Sequence, residues 1–132
     1  YIVTLEYGNK FIVLDKDFNV VRTVDTGETP YGIAFNKAGD RIYVASNKAQ
    51  LLQAFDATTF DKVKEVSTAK RCWHFSFTPD EQQILLACGK SDEVLVIDTQ
   101  QMKVTKQVNV KGMPWGVVTF PKAMGSLDQA GS

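Results

Sequence analysis

The sequence is poor in the residues that do chemistry. A single histidine and two cysteines stand among 132 residues, and the cysteines, Cys72 and Cys88, form no Cys-x-x-Cys motif. That excludes zinc ribbons, histidine-rich metal centres and c-type haem attachment. Charge of either sign is not in excess: 15 Lys+Arg face 15 Asp+Glu, a formal net charge of +0. Such a balance lacks the basic footprint of proteins that grip nucleic acid or anionic membrane surfaces. No apolar run approaches the roughly 20 residues of a membrane-spanning helix, and the first residues lack the charged-then-apolar layout of a signal peptide. Gly-rich phosphate loops, a Gly-x-Ser-x-Gly elbow and paired-carboxylate spacing are all missing. What is present is apolar, 44% hydrophobic with 11% aromatic residues, enough for one domain to bury a core. The chain starts at Tyr1 without a Met and stops at Gly131-Ser132, and so reads as a processed or excised chain with a cloning remnant at its end.

A repeat organises that apolar material. Pro30-Tyr31-Gly32-Ile33-Ala34-Phe35 recurs 42 residues on as Cys72-Trp73-His74-Phe75-Ser76-Phe77, and 42 further as Pro114-Trp115-Gly116-Val117-Val118-Thr119. Ile42-Tyr43-Val44-Ala45 returns as Ile84-Leu85-Leu86-Ala87, Val24 returns as Val66 and Val108, and Asp15, Asp56 and Asp98 close similar runs. Each unit holds four short apolar runs; in the complete unit they are Tyr31 to Phe35, Arg41 to Ala45, Leu51 to Phe55 and Lys62 to Val66. Turn residues separate them, the first run alternates with period two, and no helix is needed. Four strands in a repeat of this length predict a β-propeller blade.

The segments Pro30-x-Gly32-Ile33-Ala34-Phe35, Gly39-x-x-Ile42-Tyr43-Val44-Ala45-Ser46-Asn47 and Phe55-Asp56-Ala57-Thr58-Thr59 resemble the YVTN family of β-propeller repeats. The likeness runs from residue 1 to about 120, and is similar also to the haem-binding propeller domain of dissimilatory nitrite reductases. It implies a closed ring of more blades than this chain supplies. It also implies a periplasmic or extracellular setting, because many such proteins are exported and some are associated with quinoprotein or cytochrome systems.

Strand counting sharpens the expectation. Ahead of Pro30 stand three runs, Ile2 to Leu5, Lys10 to Leu14 and Val20 to Val24, which lack an innermost strand; after Met113 stands only an innermost-type run, Trp115 to Phe120. The sequence therefore predicts three blades over 1–121: a composite blade from 2–29 plus 114–120, a blade over 30–71 and a blade over 72–113, followed by a tail over 122–132. Propellers usually have 4 to 8 blades, and an open arc would leave apolar faces of roughly a few hundred Å² in water. A C2 homodimer in which each copy's last strand completes the other's first blade closes a six-bladed ring. A separate chain supplying the missing blades is the competing solution.

Candidate sites lie on the innermost strands. Tyr31, Trp73 and Trp115 hold one equivalent position at the channel mouth, with Lys70 and Arg71 just before Trp73; they either stack a planar ligand or partner side chain, or pack blade against blade. His74 stands where the other units have Gly32 and Gly116, and is either a haem or metal ligand facing the channel or a hydrogen-bonded structural side chain. Pairing across the Thr78–Gln83 turn places Cys72 beside residue 88 or 89, so Cys72 and Cys88 become a disulfide in an oxidising compartment and two buried thiols in a reducing one. Asp15-Lys16-Asp17-Phe18-Asn19 imitates the start of a calcium loop, but Val20 and Thr26 occupy the positions that need Gly and Glu. Asp15, Asp56 and Asp98 are accordingly read as Asx turns, and no metal site is expected.

The reading is an all-β propeller fragment without catalytic residues: a binding or scaffold module that self-associates around a central channel. A haem-holding or quinoprotein-docking oxidoreductase component, with His74 as ligand, is the first alternative; an engineered half-propeller is the second.

Overall fold

The computed structural model describes residues 1–121. They form three antiparallel sheets, each a meander of strands in chain order. The first holds β1 (Ile2–Leu5), β2 (Lys10–Leu14) and β3 (Val20–Asp25). The second holds β4 (Pro30–Phe35), β5 (Arg41–Ser46), β6 (Leu51–Asp56) and β7 (Lys62–Ser67). The third holds β8 (Cys72–Phe77), β9 (Gln83–Cys88), β10 (Glu93–Asp98) and β11 (Lys103–Asn109). A 3₁₀ turn at Gly89–Ser91 joins β9 to β10.

Period-two alternation sorts the side chains of the middle sheet onto two faces. Ile42, Val44 and Phe55 join Phe11 and Val24 in one core cluster, between the first and second sheets. Tyr43, Ala45, Leu52 and Ala54 join Phe75, Phe77, Ile84, Leu86, Leu95 and Ile97 in the other, between the second and third. Both faces of β5 are thus dry, which is why it reads as an unbroken apolar run rather than an alternating one. The outer strands β3, β7 and β11 are mostly exposed, and their Lys, Arg and Glu side chains guard the sheet edges against pairing with other chains.

The turns repeat as faithfully as the strands. Asp15 Oδ1 accepts the N–H groups of Asp17 and Asn19 at 2.9 and 3.0 Å, Asp56 Oδ1 those of Thr58 and Thr59 at 2.7 and 2.9 Å, and Asp98 Oδ1 that of Gln101 at 2.7 Å. These are the Asx turns expected, and their oxygens are committed to backbone. The same three turns each place a residue in the left-handed region, Phe18, Phe60 and Met102 at φ 65°, 63° and 50°. A second set, Thr29, Arg71 and Met113 at φ 61°, 52° and 58°, precedes each innermost strand position. Phe18 and Phe60 match in the first set, but Met102 does not and the second set holds three different residues, so the sequence shows these backbone repeats only in part.

The run from Trp115 to Phe120 departs from its prediction as a strand. It enters through the same left-handed residue as β4 and β8 and lies beside β8: Val117 N–H donates to His74 Nδ1 at 3.1 Å, and Thr119 Oγ1 donates to the Phe77 carbonyl at 3.0 Å. It forms no ladder. Innermost strands of adjacent blades pack side by side without pairing, and a strand exists only where a neighbour about 4.8 Å away offers its own N–H and C=O groups. In the described chain β1 pairs only with β2. The predicted tail, 122–132, with Gly131-Ser132, lies outside the described residues.

Candidate ligand-binding site

The inner ends of the three sheets converge on a cavity of about 260 Å³ lined by Glu6, Thr29, Tyr31, Asn47, Lys48, Arg71, Trp73 and Trp115. It gathers the channel-mouth residues Tyr31, Arg71, Trp73 and Trp115 from three separate places in the chain. Their roles differ, although the repeat makes them equivalent. Trp73 is buried, and Trp115, 59% exposed, lies flat on it, with ring centroids 4.0 Å apart and planes 11° apart. The pair presents one aromatic face to solvent. Tyr31 stands outside that stack, and its hydroxyl donates to Glu6 Oε1 at 2.7 Å. That bond to a carboxylate pushes the Tyr31 phenol above its ordinary range, with desolvation adding to it.

Two glycines decide how closely these strands approach. A Cβ on Gly32 would sit 2.5 Å from the Trp73 carbonyl oxygen and 3.2 Å from the Phe75 ring, so β8 lies against β4 only because residue 32 has no side chain. At the equivalent position β8 carries His74, and there the imidazole itself bridges to the next segment through Val117. His74 therefore lies between β8 and 114–120 and is not among the residues lining the cavity. Among the described residues no group of three or more His, Cys, Asp or Glu side chains is placed to hold a metal ion. Gly89 is the second case: a Cβ there would fall 2.2 Å from Trp73 Cζ3. The Trp73 ring occupies that space, and Trp115 stacks on the ring.

Cys72 and Cys88 are register partners across β8 and β9 and are joined as a disulfide. The bridge lies one residue from Arg71 and one from Gly89, so it fixes the strand ends that present both Arg71 and the Trp73 ring. Sequence reasoning missed Glu6, Thr29, Asn47 and Lys48 in the lining, and Gly89 behind Trp73. Glu6 follows β1 as Asn47 follows β5 and Gly89 follows β9, but the three residue types differ. Gly89 had one signal, since it replaces Asn47 of the preceding blade.

No protein-family model matches this sequence, and no curated protein matches it either. Solved structures do. Hydrazine synthase from Kuenenia stuttgartiensis superposes with a TM-score of 0.80 at 18% identity, covering 86% of this chain and 33% of that one. Dihydro-heme d1 dehydrogenase NirN, solved in complex with DHE, gives 0.69 at 16% identity over 88% of this chain and 27% of its own. AztD from Citrobacter koseri gives 0.66 at 13% over 82% and 31%. These are β-propeller proteins, and the fold of this chain is that of propeller blades. The chain spans about a third or less of the length of each. No helix among the described residues is long and apolar enough to cross a membrane.

Proposed function

We propose that the chain is a non-enzymatic propeller module that binds a planar group, or a partner's side chain, on the Trp73–Trp115 face. The observation that carries this reading is an aromatic stack whose outer ring is 59% exposed, in a cavity that also holds Arg71, Lys48 and Glu6. A large exposed aromatic beside fixed charges is the common design of a recognition surface, where the ring supplies area and the charges orient the ligand. Titration of planar aromatic and quaternary ammonium compounds, followed by tryptophan emission, is the test. A saturable change that Trp115→Ala abolishes is expected. Emission that stays flat across both classes would overturn the reading and leave the stack as packing.

Assembly belongs to the same proposal. Leu85, Val94 and Val96 are only half-buried, while their repeat equivalents Tyr43, Leu52 and Ala54 are buried against the neighbouring sheet; Val3 on the opposite flank is 41% exposed. A second copy, arranged as a C2 homodimer, would cover these faces and close a six-bladed ring. Light scattering across a dilution series should give twice 14.7 kDa. A monomer mass at every concentration would remove self-association and favour a separate chain that supplies blades.

A haem-holding or quinoprotein-docking oxidoreductase component is the second reading. It rests on His74, whose Nδ1 already accepts the Val117 N–H, so the chain offers this role one imidazole held in a set orientation. Haem titration should then give a Soret band that His74→Ala removes; a spectrum identical to free haem would sink it. The Cys72–Cys88 bridge suits a periplasmic or extracellular setting, where disulfides persist.

A further inference from the structure

We propose that the loops joining β5 to β6, β7 to β8 and β9 to β10 form a site for a multiply charged oxyanion, the phosphate or carboxylate groups of a small ligand. It adjoins the aromatic face and shares Asn47, Lys48 and Arg71 with it, but Lys70, Lys90 and Gln50 belong to it alone. Lys48, Lys70, Arg71 and Lys90 line one open depression of about 290 Å³, completed by Asn47 and Gln50. No acid is in that lining, although the chain as a whole has equal numbers of acids and bases. Among the described residues Lys70, Arg71 and Lys90 make no ion pair, and Lys48 makes one, a 3.7 Å contact with Glu28 between largely exposed side chains. Four like charges around one hollow repel one another, and a multivalent anion relieves all of those repulsions at once.

The fold does not impose this pattern. Lys48 and Lys90 are repeat equivalents, but Lys70-Arg71 replaces Glu28-Thr29 of the preceding junction. There the equivalent of Lys70 is the acid Glu28, which makes a solvent-screened surface contact with Lys48 at 3.7 Å and leaves that lysine's charge in place. Only the junction between the second and third sheets is wholly basic.

The three loops are also fixed to one another. Thr68 N–H donates to the Gln50 carbonyl at 2.8 Å, Gly89 N–H to the Arg71 carbonyl at 2.9 Å, and Lys70 N–H to Ser91 Oγ at 2.8 Å. The Cys72–Cys88 disulfide lies directly beneath. The backbones bearing the cations are therefore positioned before any ligand arrives, which lowers the ordering cost of binding. Arg71 adds a planar fork that can pair two oxygens of one phosphate or carboxylate, while the lysines act as movable point charges.

Isothermal titration of the oxidised protein with inorganic pyrophosphate and with citrate tests the site. Saturable one-to-one binding at low salt is expected, weakened as ionic strength rises. Lys70→Gln with Lys90→Gln should lower affinity at least tenfold. Lys37→Gln with Lys106→Gln removes the same charge from remote exposed positions and should change affinity less than twofold; thermal melts of both variants verify folding. Tighter binding of pyrophosphate identifies a phosphate-bearing ligand, and tighter binding of citrate a carboxylate-bearing one. Absence of saturable heat with either probe, or equal weakening in the two double variants, would overturn the proposal. Trp115→Ala should leave pyrophosphate binding intact, so failure of the aromatic site and failure of this one are read separately.

Discussion

The second and third sheets carry nearly the same sequence pattern in different surroundings. In the second, Tyr43, Leu52 and Ala54 are 6%, 0% and 3% exposed because the third sheet covers them. In the third, the equivalent Leu85, Val94 and Val96 keep part of their surface in solvent. Ala87, like Ala45, is fully buried in both settings, since it lies close to the inner strands. The difference teaches that an apolar repeat specifies a blade covered on two sides, while burial itself depends on whether a neighbour is there to supply it.

The largest break of this comparison is in the middle sheet. Leu52→Ala should cost about 2–5 kcal/mol in chemical denaturation, because Leu52 is fully buried and the hole cannot collapse between two sheets. Val94→Ala, at its equivalent position, should cost about 1 kcal/mol or less in a dilute monomer. If the Val94→Ala penalty grows with protein concentration, the third sheet's open face is covered by another copy. If both variants cost the same in dilute monomer, the contrast between the sheets is wrong.

Removing the bridge that only the third sheet possesses comes next. Cys72→Ser with Cys88→Ser should lower stability by about 2–4 kcal/mol relative to the oxidised protein, and the wild type should show no free thiol until reductant is added. A variant as stable as the parent would mean that backbone pairing alone holds β8 to β9.

Gly89→Ala tests the seat of Trp73. The added methyl meets the indole, and displacing a packed ring costs roughly 1–3 kcal/mol. Tryptophan emission should shift as the Trp73–Trp115 stack opens.

The smallest effect is common to all three sheets' turns. Backbone N–H groups lower the Asp15 and Asp56 carboxyls below the ordinary aspartate range, from Asn19 first in one and Thr59 first in the other, and the Thr78 hydroxyl does so most strongly for Asp80. A carboxyl lowered in the folded state releases its proton more readily there than in the unfolded chain. Its stabilisation is therefore present above the unfolded pKa and lost as pH falls through the folded one, below about pH 4. Denaturation midpoints should drop as pH falls below about 4, and Asp56→Asn should shrink that drop slightly. These groups are exposed, so each effect is small.

Much of this was legible in the chain itself. The 42-residue repeat, the strand positions and the Asx turns follow from local rules: alternation fixes a face, and an aspartate fixes a turn. The pairing of Cys72 with Cys88 followed from counting across one hairpin. Legibility ended at contacts between units. Tyr31, Trp73 and Trp115 are one position in the repeat, yet the structure makes them a carboxylate's hydrogen-bond donor, a buried ring and an exposed stacked ring. Those differences depend on Glu6 and Gly89, which break the repeat rather than follow it.

By itself the sequence determined the blade, because hydrophobic period, turn chemistry and repeat length act within some forty residues. The tertiary structure alone decided what the blades do at their junctions. It turned Gly32 into a close strand contact and His74 into a bridge to Val117, and it drew Lys48, Lys70, Arg71 and Lys90 around one hollow. The reason is physical: a strand's own pattern sets which way its side chains point, but distance across a junction is set by what the facing strand places there, and charge and stacking energies follow that distance.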